Sequence, residues 1–284
     1  MTVRSQLDLA DIAPNLVLEQ DGIWRSAKHE TISYPQEGNE ICYEIEESSF
    51  WFKHRNACIE AAVKCHPPRS GGPIFDVGGG NGFVALGLMR AGFETVLVEP
   101  GPIGALNGKR RGIPTVICAT TAGAGIRHST LDAVGLFDVI EHIEDDMEFL
   151  RSMRTLLKKD GRLYATVPAY SALWSGEDIA AGHFRRYTCK SIGARIERSG
   201  FRVEYSTYIF RPLPLPILLS RALPYRLGFM RALRSGSGTA SDHRPASTTM
   251  ASIMNLLLSG EVSNVGAQRR MIFGGSCLLV ASAA

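Results

Sequence analysis

Apolar positions along the chain fall into two alternating kinds of stretch. Short apolar runs, such as residues 74–77, predict buried strands, whereas apolar side chains at helical spacing, as in residues 83–89, predict helices. The alternation recurs through residues 74–170 and predicts an α/β domain with a doubly wound, mostly parallel sheet and helices on both faces. The predicted strands, seven in number, are 74–77, 92–100, 114–120, 131–139, 162–170, 201–210 and 271–283.

The N-terminal part of the chain has a different pattern. Residues 1–36 are polar and interrupted by proline and glycine, so they are predicted to form an arm, with residues 37–284 as the main domain. Residues 50–65 are predicted to form a helix that is capped by Ser48 or Ser49 and ends before two prolines.

The last two predicted strands are separated by a long insertion. Residues 211–269 exceed any ordinary hairpin loop, and their first part mixes apolar and arginine side chains. That composition is typical of a lid over a substrate, of a membrane-surface contact through residues 211–234, or of an oligomer contact. Residues 235–249 are predicted to be a mobile Ser/Gly/Thr-rich linker, and residues 250–259 a short apolar helix.

Composition narrows the choice of function and compartment. Among the 284 residues, 31 basic and 28 acidic side chains give a net charge of +3, which does not favour a nucleic-acid partner. The six cysteines form no C-x-x-C pair, so no metal site is predicted, and Cys58 and Cys65 are expected to be small buried side chains. Charged residues in the first twenty positions and the lack of a long apolar run predict a cytoplasmic protein.

The first candidate site is a glycine turn between the strand 74–77 and the helix that follows. Its pattern is Asp76-x-Gly78-x-Gly80-x-Gly82, with the acid first, and Glu99 ends the next strand. Glycines allow positive φ and let a ligand lie against the backbone, and an acid at that strand end can accept the hydroxyls of a ribose. The dinucleotide fingerprint is met only with an alanine in the last position, which weakens nicotinamide binding without excluding it.

These features resemble the first two motifs of class I S-adenosylmethionine (SAM) dependent methyltransferases, and residues 136–146 resemble their fourth motif. The resemblance implies that the glycine turn contacts the methionine half of SAM and that an acid holds the ribose. It also implies that the last strand of a seven-stranded sheet is antiparallel, and that S-adenosylhomocysteine is the product. The residues expected to bind the cofactor are Asp76, Gly78, Gly79, Gly80, Gly82, Glu99, Thr120, Phe137, Asp138 and Arg55. Thr120 stands where relatives place an acid for the adenine.

The acceptor is expected to bind under a loop after the fifth strand. Polar and aromatic side chains crowd there, in a pattern that resembles bacterial methyltransferases of glycan, lipid or natural-product pathways. The predicted acceptor-binding residues are Trp51, Tyr170, Trp174, Asp178, Arg185, Arg186 and Tyr187. The alternative is a lid held together by Arg–Asp pairs and a buried Trp. His142 and His183 are the candidates for a general base, because imidazole titrates near neutral pH. Glu141 is also expected near the cofactor, since ligands bind at the carboxyl ends of such strands.

Three functions remain open at this point. The first is an enzyme that moves the methyl group by in-line displacement to an oxygen or nitrogen atom of a small molecule, glycan, lipid or modified peptide, including a carboxylate. The second is an NAD-dependent oxidoreductase. The third is a non-catalytic SAM-binding module at a membrane surface. The sequence names neither the acceptor nor the oligomeric state.

Overall fold

A mixed nine-stranded sheet forms the centre of the protein, in a computed structural model that describes residues 9–26, 43–229 and 248–284. The strands are β1 Leu16–Leu18, β2 Trp24–Ser26, β3 Ile74–Val77, β4 Thr95–Val98, β5 Thr115–Cys118, β6 Leu131–Phe137, β7 Leu157–Pro168, β8 Phe201–Ile209 and β9 Ser276–Ala283. The helices of the described ranges are Leu9–Ile12, Phe50–Cys65, Phe83–Arg90, Pro102–Arg110, Asp146–Leu156, Gly176–Ala180, Cys189–Arg198, Pro214–Ile217, Leu223–Arg226 and Thr248–Gly266, with single turns at Ile140–His142, Ser171–Leu173 and Leu218–Ala222.

The strand order confirms the predicted doubly wound sheet. The order is β1-β2-β5-β4-β3-β6-β7-β9-β8, and β9 runs antiparallel to both of its neighbours. The chain winds outward from β3 through β4 to β5 and then returns to β6 on the other side of β3. Such a reversal leaves a crevice at the carboxyl ends of the strands, where ligands bind in open α/β sheets.

The N-terminal residues add two strands to the seven that the sequence predicts. β1 and β2 form an antiparallel hairpin, and β2 pairs in parallel with β5 through Trp24 and Ile117. Each strand has three residues and the turn between them is polar, so their apolar pattern was too short to indicate strands. The remaining parts of the predicted arm, residues 1–8 and 27–36, lie outside the described residues.

Helices cover both faces of the sheet, as predicted. On one face the helix Phe50–Cys65 packs against the helix Thr248–Gly266, and the two share one buried cluster with Ile74 and Tyr164 of the sheet. On the other face the helices Asp146–Leu156 and Cys189–Arg198 bury Leu150 and Ile192 in a second cluster. The predicted cap of the first helix is present, since the Ser49 hydroxyl accepts a hydrogen bond from the Trp51 N–H.

The insertion is more helical than the sequence predicts. The helix Thr248–Gly266 extends beyond the predicted 250–259 because its Glu261, which is buried, has partners that the sequence does not reveal. The carboxylate of Glu261 accepts hydrogen bonds from the backbone N–H groups of Phe210 and Arg211, at 2.7 Å each, and lies 2.9 Å from His54 Nε2. The predicted linker falls largely on residues 230–247, which lie outside the described residues. Within the described ranges, every helix is too short or too polar to cross a membrane.

Candidate active site

A cavity of about 430 Å³ opens at the carboxyl ends of the central strands. The glycine turn and a pair of histidines both line it. We call these the glycine end, with Asp76, Gly78–Gly80 and Glu99, and the histidine end, with Glu141, His142, Asp178, His183 and Arg186.

The glycine end is built closely around the buried carboxylate of Asp76. Gly78 and Gly80 both have positive φ, at 69° and 54°, so a side chain at either position would strain the turn. A Cβ added at Gly79 would lie 2.6 Å from Asp76 Oδ2. That oxygen accepts a hydrogen bond from the Ala85 N–H at 3.1 Å, while Oδ1 has no partner among the described residues. Burial raises the pKa of Asp76 to about 7, because a low dielectric disfavours the charged form.

Glu99 is held in place from both sides by backbone donors. Its Oε2 accepts a hydrogen bond from the Gly80 N–H at 2.8 Å, and its Oε1 accepts one from the Gly101 N–H at 2.7 Å. Burial nevertheless raises the pKa of the Glu99 carboxyl. Each carboxylate oxygen keeps a second lone pair, so Glu99 can still accept hydrogen bonds from a ligand in the cavity.

Arg55 forms the roof between the two ends. Its guanidinium pairs with the Asp138 carboxylate and lies 4.6 Å from the centre of the Trp51 ring and 5.4 Å from that of Phe52. Asp138 has a φ of 57° at the end of β6, and its carboxylate also accepts a hydrogen bond from the Thr166 hydroxyl at 2.9 Å. Arg55 is therefore already paired in the protein, rather than a free cation waiting for the carboxylate of a ligand.

Two imidazoles meet at the histidine end. The ring centres of His142 and His183 are 4.7 Å apart, with the rings almost perpendicular. His183 Nδ1 lies 2.9 Å from Asp178 Oδ1, and the same oxygen accepts a hydrogen bond from Arg186 Nε at 2.6 Å. Burial opposes ionisation of Asp178, but the hydrogen bonds from His183 and Arg186 outweigh it and lower its pKa. Asp178 thus orients the His183 ring towards the cavity.

The carboxyl group of Glu141 lies beside the two imidazoles. Glu141 is 1 % exposed and lines the cavity, yet its Oε2 has no hydrogen-bond partner among the described residues. Burial, followed by the nearby charge of Asp138, raises the pKa of Glu141 well above its usual range. Burial, followed by the neighbouring His183, lowers the pKa of His142 to about 4, so the His142 ring is neutral at neutral pH. The histidine end therefore holds a carboxyl oxygen that the protein leaves without a partner.

The structure brings most of the predicted site residues to one cavity. Those that line it are Trp51, Arg55, Asp76, Gly78, Gly79, Gly80, Glu99, Phe137, Asp138, His142, Asp178, His183 and Arg186. Six others lie away from its wall, namely Gly82, Thr120, Tyr170, Trp174, Arg185 and Tyr187. Gly82 starts the helix Phe83–Arg90 with a φ of 74°, and a Cβ there would collide with Ile113. Thr120 accepts a hydrogen bond from the Gly123 N–H at 2.9 Å.

Arg185 and Tyr187 stabilise a neighbouring helix instead of the cavity. The Tyr187 hydroxyl donates to Asp146 Oδ2 at 2.8 Å, and Arg185 pairs with the same carboxylate at 3.0 Å. Tyr170 stacks on Tyr208, with ring centres 5.2 Å apart. Adjacent residues of an extended segment point to opposite sides, which is why Arg186 reaches the cavity and its two neighbours do not. The Arg–Asp pairs of the alternative interpretation are thus present here.

Several residues of the cavity wall were not predicted. Glu46 and Asn81 line the glycine end, and the Asn81 side-chain amide donates to Glu46 at 3.4 Å. Ile217 and Arg221 reach the cavity from the insertion. Glu46 belongs to a glutamate-rich stretch whose members look alike in sequence, and nothing in the local pattern of the insertion marks Ile217 or Arg221.

Comparisons with known proteins agree with this fold. A family model described as "Methyltransferase domain" matches residues 51–206, more than half of the chain. The methyltransferase in a Haloferax volcanii complex with the Trm112 activator has a similar fold, with a TM-score of 0.54 and 13 % identity over 87 % of this chain and 96 % of that one. A Thermotoga maritima SAM-dependent methyltransferase has a TM-score of 0.51 and 15 % identity over 87 % of this chain and 100 % of that one.

A third solved structure extends the similarity to a ligand-bound relative. Phosphoethanolamine N-methyltransferase 2 of Haemonchus contortus, in complex with SAM, gives a TM-score of 0.51 and 15 % identity over 87 % of this chain and 57 % of that one. A search of curated protein sequences found no significant match. The family match decides against the oxidoreductase alternative. The chain belongs to the methyltransferase-domain family, and it is a class I SAM-dependent methyltransferase.

Proposed function

We propose that this enzyme binds SAM at the glycine end of the cavity and methylates an oxygen or nitrogen atom of an acceptor held at the histidine end. The observation that carries the proposal is that one cavity joins the two ends. Bound SAM supplies a methyl group on a sulfonium, and its transfer breaks the carbon–sulfur bond, forms a bond to the acceptor and leaves S-adenosylhomocysteine. The task of the protein is to align the acceptor with that methyl group.

The residues of the glycine end fit the cofactor. The buried Asp76 Oδ1 lacks a partner among the described residues and can accept a hydrogen bond from a cationic ligand. Glu99 stands at the end of β4 with lone pairs free for ribose hydroxyls. Bare backbone at Gly78–Gly80 lets a ligand approach closely.

The histidine end contributes the side chains that handle the nucleophilic atom. His142 and His183 face the cavity together, and Asp178 fixes the orientation of His183. Asp178 is itself fixed, since its Oδ2 accepts a hydrogen bond from the Ser175 N–H at 2.9 Å. Rings that are held in this way make contact with an acceptor without a large entropic cost.

The charges of the cavity favour a hydroxyl or amine acceptor over an anionic one. The two arginines that the sequence predicts to bind the acceptor are both paired: Arg186 with Asp178, and Arg185 with Asp146 outside the cavity. A small molecule, lipid, glycan or modified peptide that carries a hydroxyl or amino group fits this environment.

The insertion serves as a lid in this proposal. The segment 214–226 supplies Ile217 and Arg221 to the cavity wall, which supports a lid role for this part of the insertion. The segment also exposes Leu215 and Leu219, at 63 % and 57 %. Contact of residues 211–234 with a membrane surface stays a prediction.

A radiolabelled methyl-transfer assay tests the acceptor class. The chain is incubated with methyl-labelled SAM and matched acceptors that present a hydroxyl, an amine or a carboxylate on the same scaffold. We expect label on the hydroxyl or amine compounds, and loss of that label in the variant His183→Ala. Transfer to carboxylates alone would contradict the proposed acceptor class.

A further inference from the structure

The histidine end contains the donor set of a metal site. Glu141, His142 and His183 each offer one ligand atom, and the three atoms lie within 4.8 Å of one another. Two imidazoles and one carboxylate are a common ligand set for zinc and for other first-row transition metals when an open coordination position is needed. Ligand atoms around such an ion are typically about 3–4 Å apart, as bonds of about 2.0–2.2 Å require, so small side-chain rotations would complete the site.

The environment of Glu141 favours a cation beside its carboxyl group. The residue is 1 % exposed and lines the cavity, and its Oε2 has neither a hydrogen bond nor an ion pair among the residues that the structure describes. The nearby Asp138 is neutralised by Arg55, and Asp178 by Arg186. Leaving a buried carboxyl oxygen without a partner is costly, and a divalent cation would remove that cost.

The Asp178 carboxylate beside His183 is the kind of partner that orients a metal-binding imidazole. His183 Nδ1 lies 2.9 Å from the Asp178 carboxylate, which directs the other ring nitrogen away from that carboxylate. Carboxylate–histidine pairs of this kind fix the ring and its tautomer in metal sites. Arg186 and the Ser175 N–H hold Asp178 in turn, so the orientation of the ring does not depend on a ligand.

A second cluster in the same protein has its carboxylate already hydrogen-bonded, and we call it the satisfied cluster. His54, Cys58 and Glu261 also bring three ligand atoms within 4.8 Å of one another, and all three residues are buried. There, however, Glu261 uses both oxygens to accept hydrogen bonds from the Phe210 and Arg211 N–H groups, and Oε2 also contacts His54. Both of its oxygens already have hydrogen-bond partners, unlike Glu141 Oε2, and the cluster does not line the cavity.

We infer that Glu141, His142 and His183 bind one divalent first-row transition metal ion, such as Zn²⁺ or Mn²⁺, at the acceptor end of the cavity. The sequence predicts no metal site, because the two histidines are forty-one positions apart and no ligand motif joins them. The role of the ion rests on the proposed function: a cation beside an acceptor hydroxyl lowers its pKa, so that the proton passes to solvent and the oxygen lone pair is available to the methyl group. Coordination would then replace a direct general-base role for His183.

Metal titration tests the inference without an acceptor. The untagged full-length chain, saturated with S-adenosylhomocysteine, is titrated with MnCl₂ by electron paramagnetic resonance and with ZnCl₂ by calorimetry. We expect the native chain to bind one ion. The metal affinity should be at least about 100-fold weaker in Glu141→Gln or His183→Ala. It should be about 10–100-fold weaker in Asp178→Asn, the usual cost of losing a residue that hydrogen-bonds to a metal ligand. Cys58→Ala, in the satisfied cluster, is the matched control and should keep the affinity of the native chain.

Retained binding of S-adenosylhomocysteine in each variant shows that the fold is intact. The inference is overturned if neither ion binds the native chain more tightly than millimolar, or if His183→Ala and Glu141→Gln keep full metal affinity. A chelator should also stop methyl transfer, and Mn²⁺ should restore it; transfer that is indifferent to chelator would overturn the role given to the ion. Failure of the chain to bind S-adenosylhomocysteine would instead contradict the proposed function, and metal titration of the ligand-free chain would still decide on the site.

Discussion

The two ends of the cavity differ in how the chain builds them. The glycine end uses backbone groups and two acids from consecutive strand–helix units, β3 to β4, within about 25 residues of sequence. The histidine end uses side chains from segments around 141 and 180, which only the folded chain brings together. The sequence predicts the glycine end together with its local geometry, whereas at the histidine end it indicates candidate side chains but not which of them meet in the cavity.

The comparison predicts that the ends can be separated by mutation, and the largest expected effect is on turnover. His183→Ala should lower methyl transfer by about 10²–10⁴-fold, the range for losing assistance to deprotonation of the acceptor, which His183 gives either as a base or as a ligand of the inferred ion. SAM affinity should stay within about twofold, since the contacts of His183 are with Asp178 and His142 rather than with the glycine turn. Steady-state kinetics at saturating SAM, together with calorimetric titration of SAM, measure both quantities. A loss of SAM affinity as large as the loss of turnover would show that mutation cannot separate the two ends.

The converse effect is expected at Glu99. Glu99→Gln keeps the shape of the side chain but removes its charge and one of its acceptors, and hydrogen bonds to charged groups contribute about 1.5–3 kcal/mol. SAM should therefore bind roughly 10–150-fold more weakly, with turnover at saturating SAM largely kept. Unchanged SAM affinity in a correctly folded variant would remove Glu99 from the cofactor site.

The raised pKa of Asp76 gives the glycine end a pH dependence of its own. Asp76 is neutral below its pKa of about 7 and anionic above it, so affinity for the cationic SAM should rise as the pH increases towards 7 and level off above. The slope should approach tenfold per pH unit for a single group. Titration of SAM between pH 5.5 and 8.5 checks this, and Asp76→Asn should show a flatter profile; identical profiles would assign the dependence to another group.

The smallest expected effect concerns a residue that the sequence placed in the acceptor site. Tyr187→Phe removes the hydroxyl that donates to Asp146, so the free energy of unfolding should fall by about 1–3 kcal/mol. Turnover and SAM affinity should not change, because Tyr187 lies away from the cavity wall. Denaturant unfolding and steady-state kinetics of the same variant test both statements. A large fall in turnover with unchanged stability would instead indicate that Tyr187 contacts the acceptor.

Much of the fold follows from the sequence, and the reasons are local. The helix Phe50–Cys65 has its cap at Ser49 and its end before two prolines, both of which are visible in the sequence. The hairpin of β1 and β2 was missed because three-residue strands carry too little apolar periodicity. The helix Thr248–Gly266 was predicted too short, since Glu261 looks like a surface residue until Phe210 and Arg211 are placed beside it.

The same reasoning explains the site. Asp76 and Glu99 were found because their spacing from the glycines is fixed by the local strand–turn–helix geometry. Within the crowded loop, by contrast, Asp178 and Arg186 reach the cavity while Arg185 and Tyr187 turn to Asp146. Composition alone indicates that a loop of this kind is functional, but the direction of each side chain is set by partners that are distant in sequence.

Thermal unfolding with added ligands tests the central claim most directly. The native chain, Glu99→Gln and His183→Ala are each melted with SAM, S-adenosylhomocysteine and NAD at equal concentrations. A ligand at about 100 times its Kd stabilises the native state by about 2.7 kcal/mol, which corresponds to several degrees for a domain of this size. We expect SAM and S-adenosylhomocysteine, but not NAD, to raise the Tm of the native chain and of His183→Ala, and to have a much smaller effect on Glu99→Gln. A shift with NAD, or a shift that is lost in His183→Ala and kept in Glu99→Gln, would contradict a cavity with its cofactor at the glycine end.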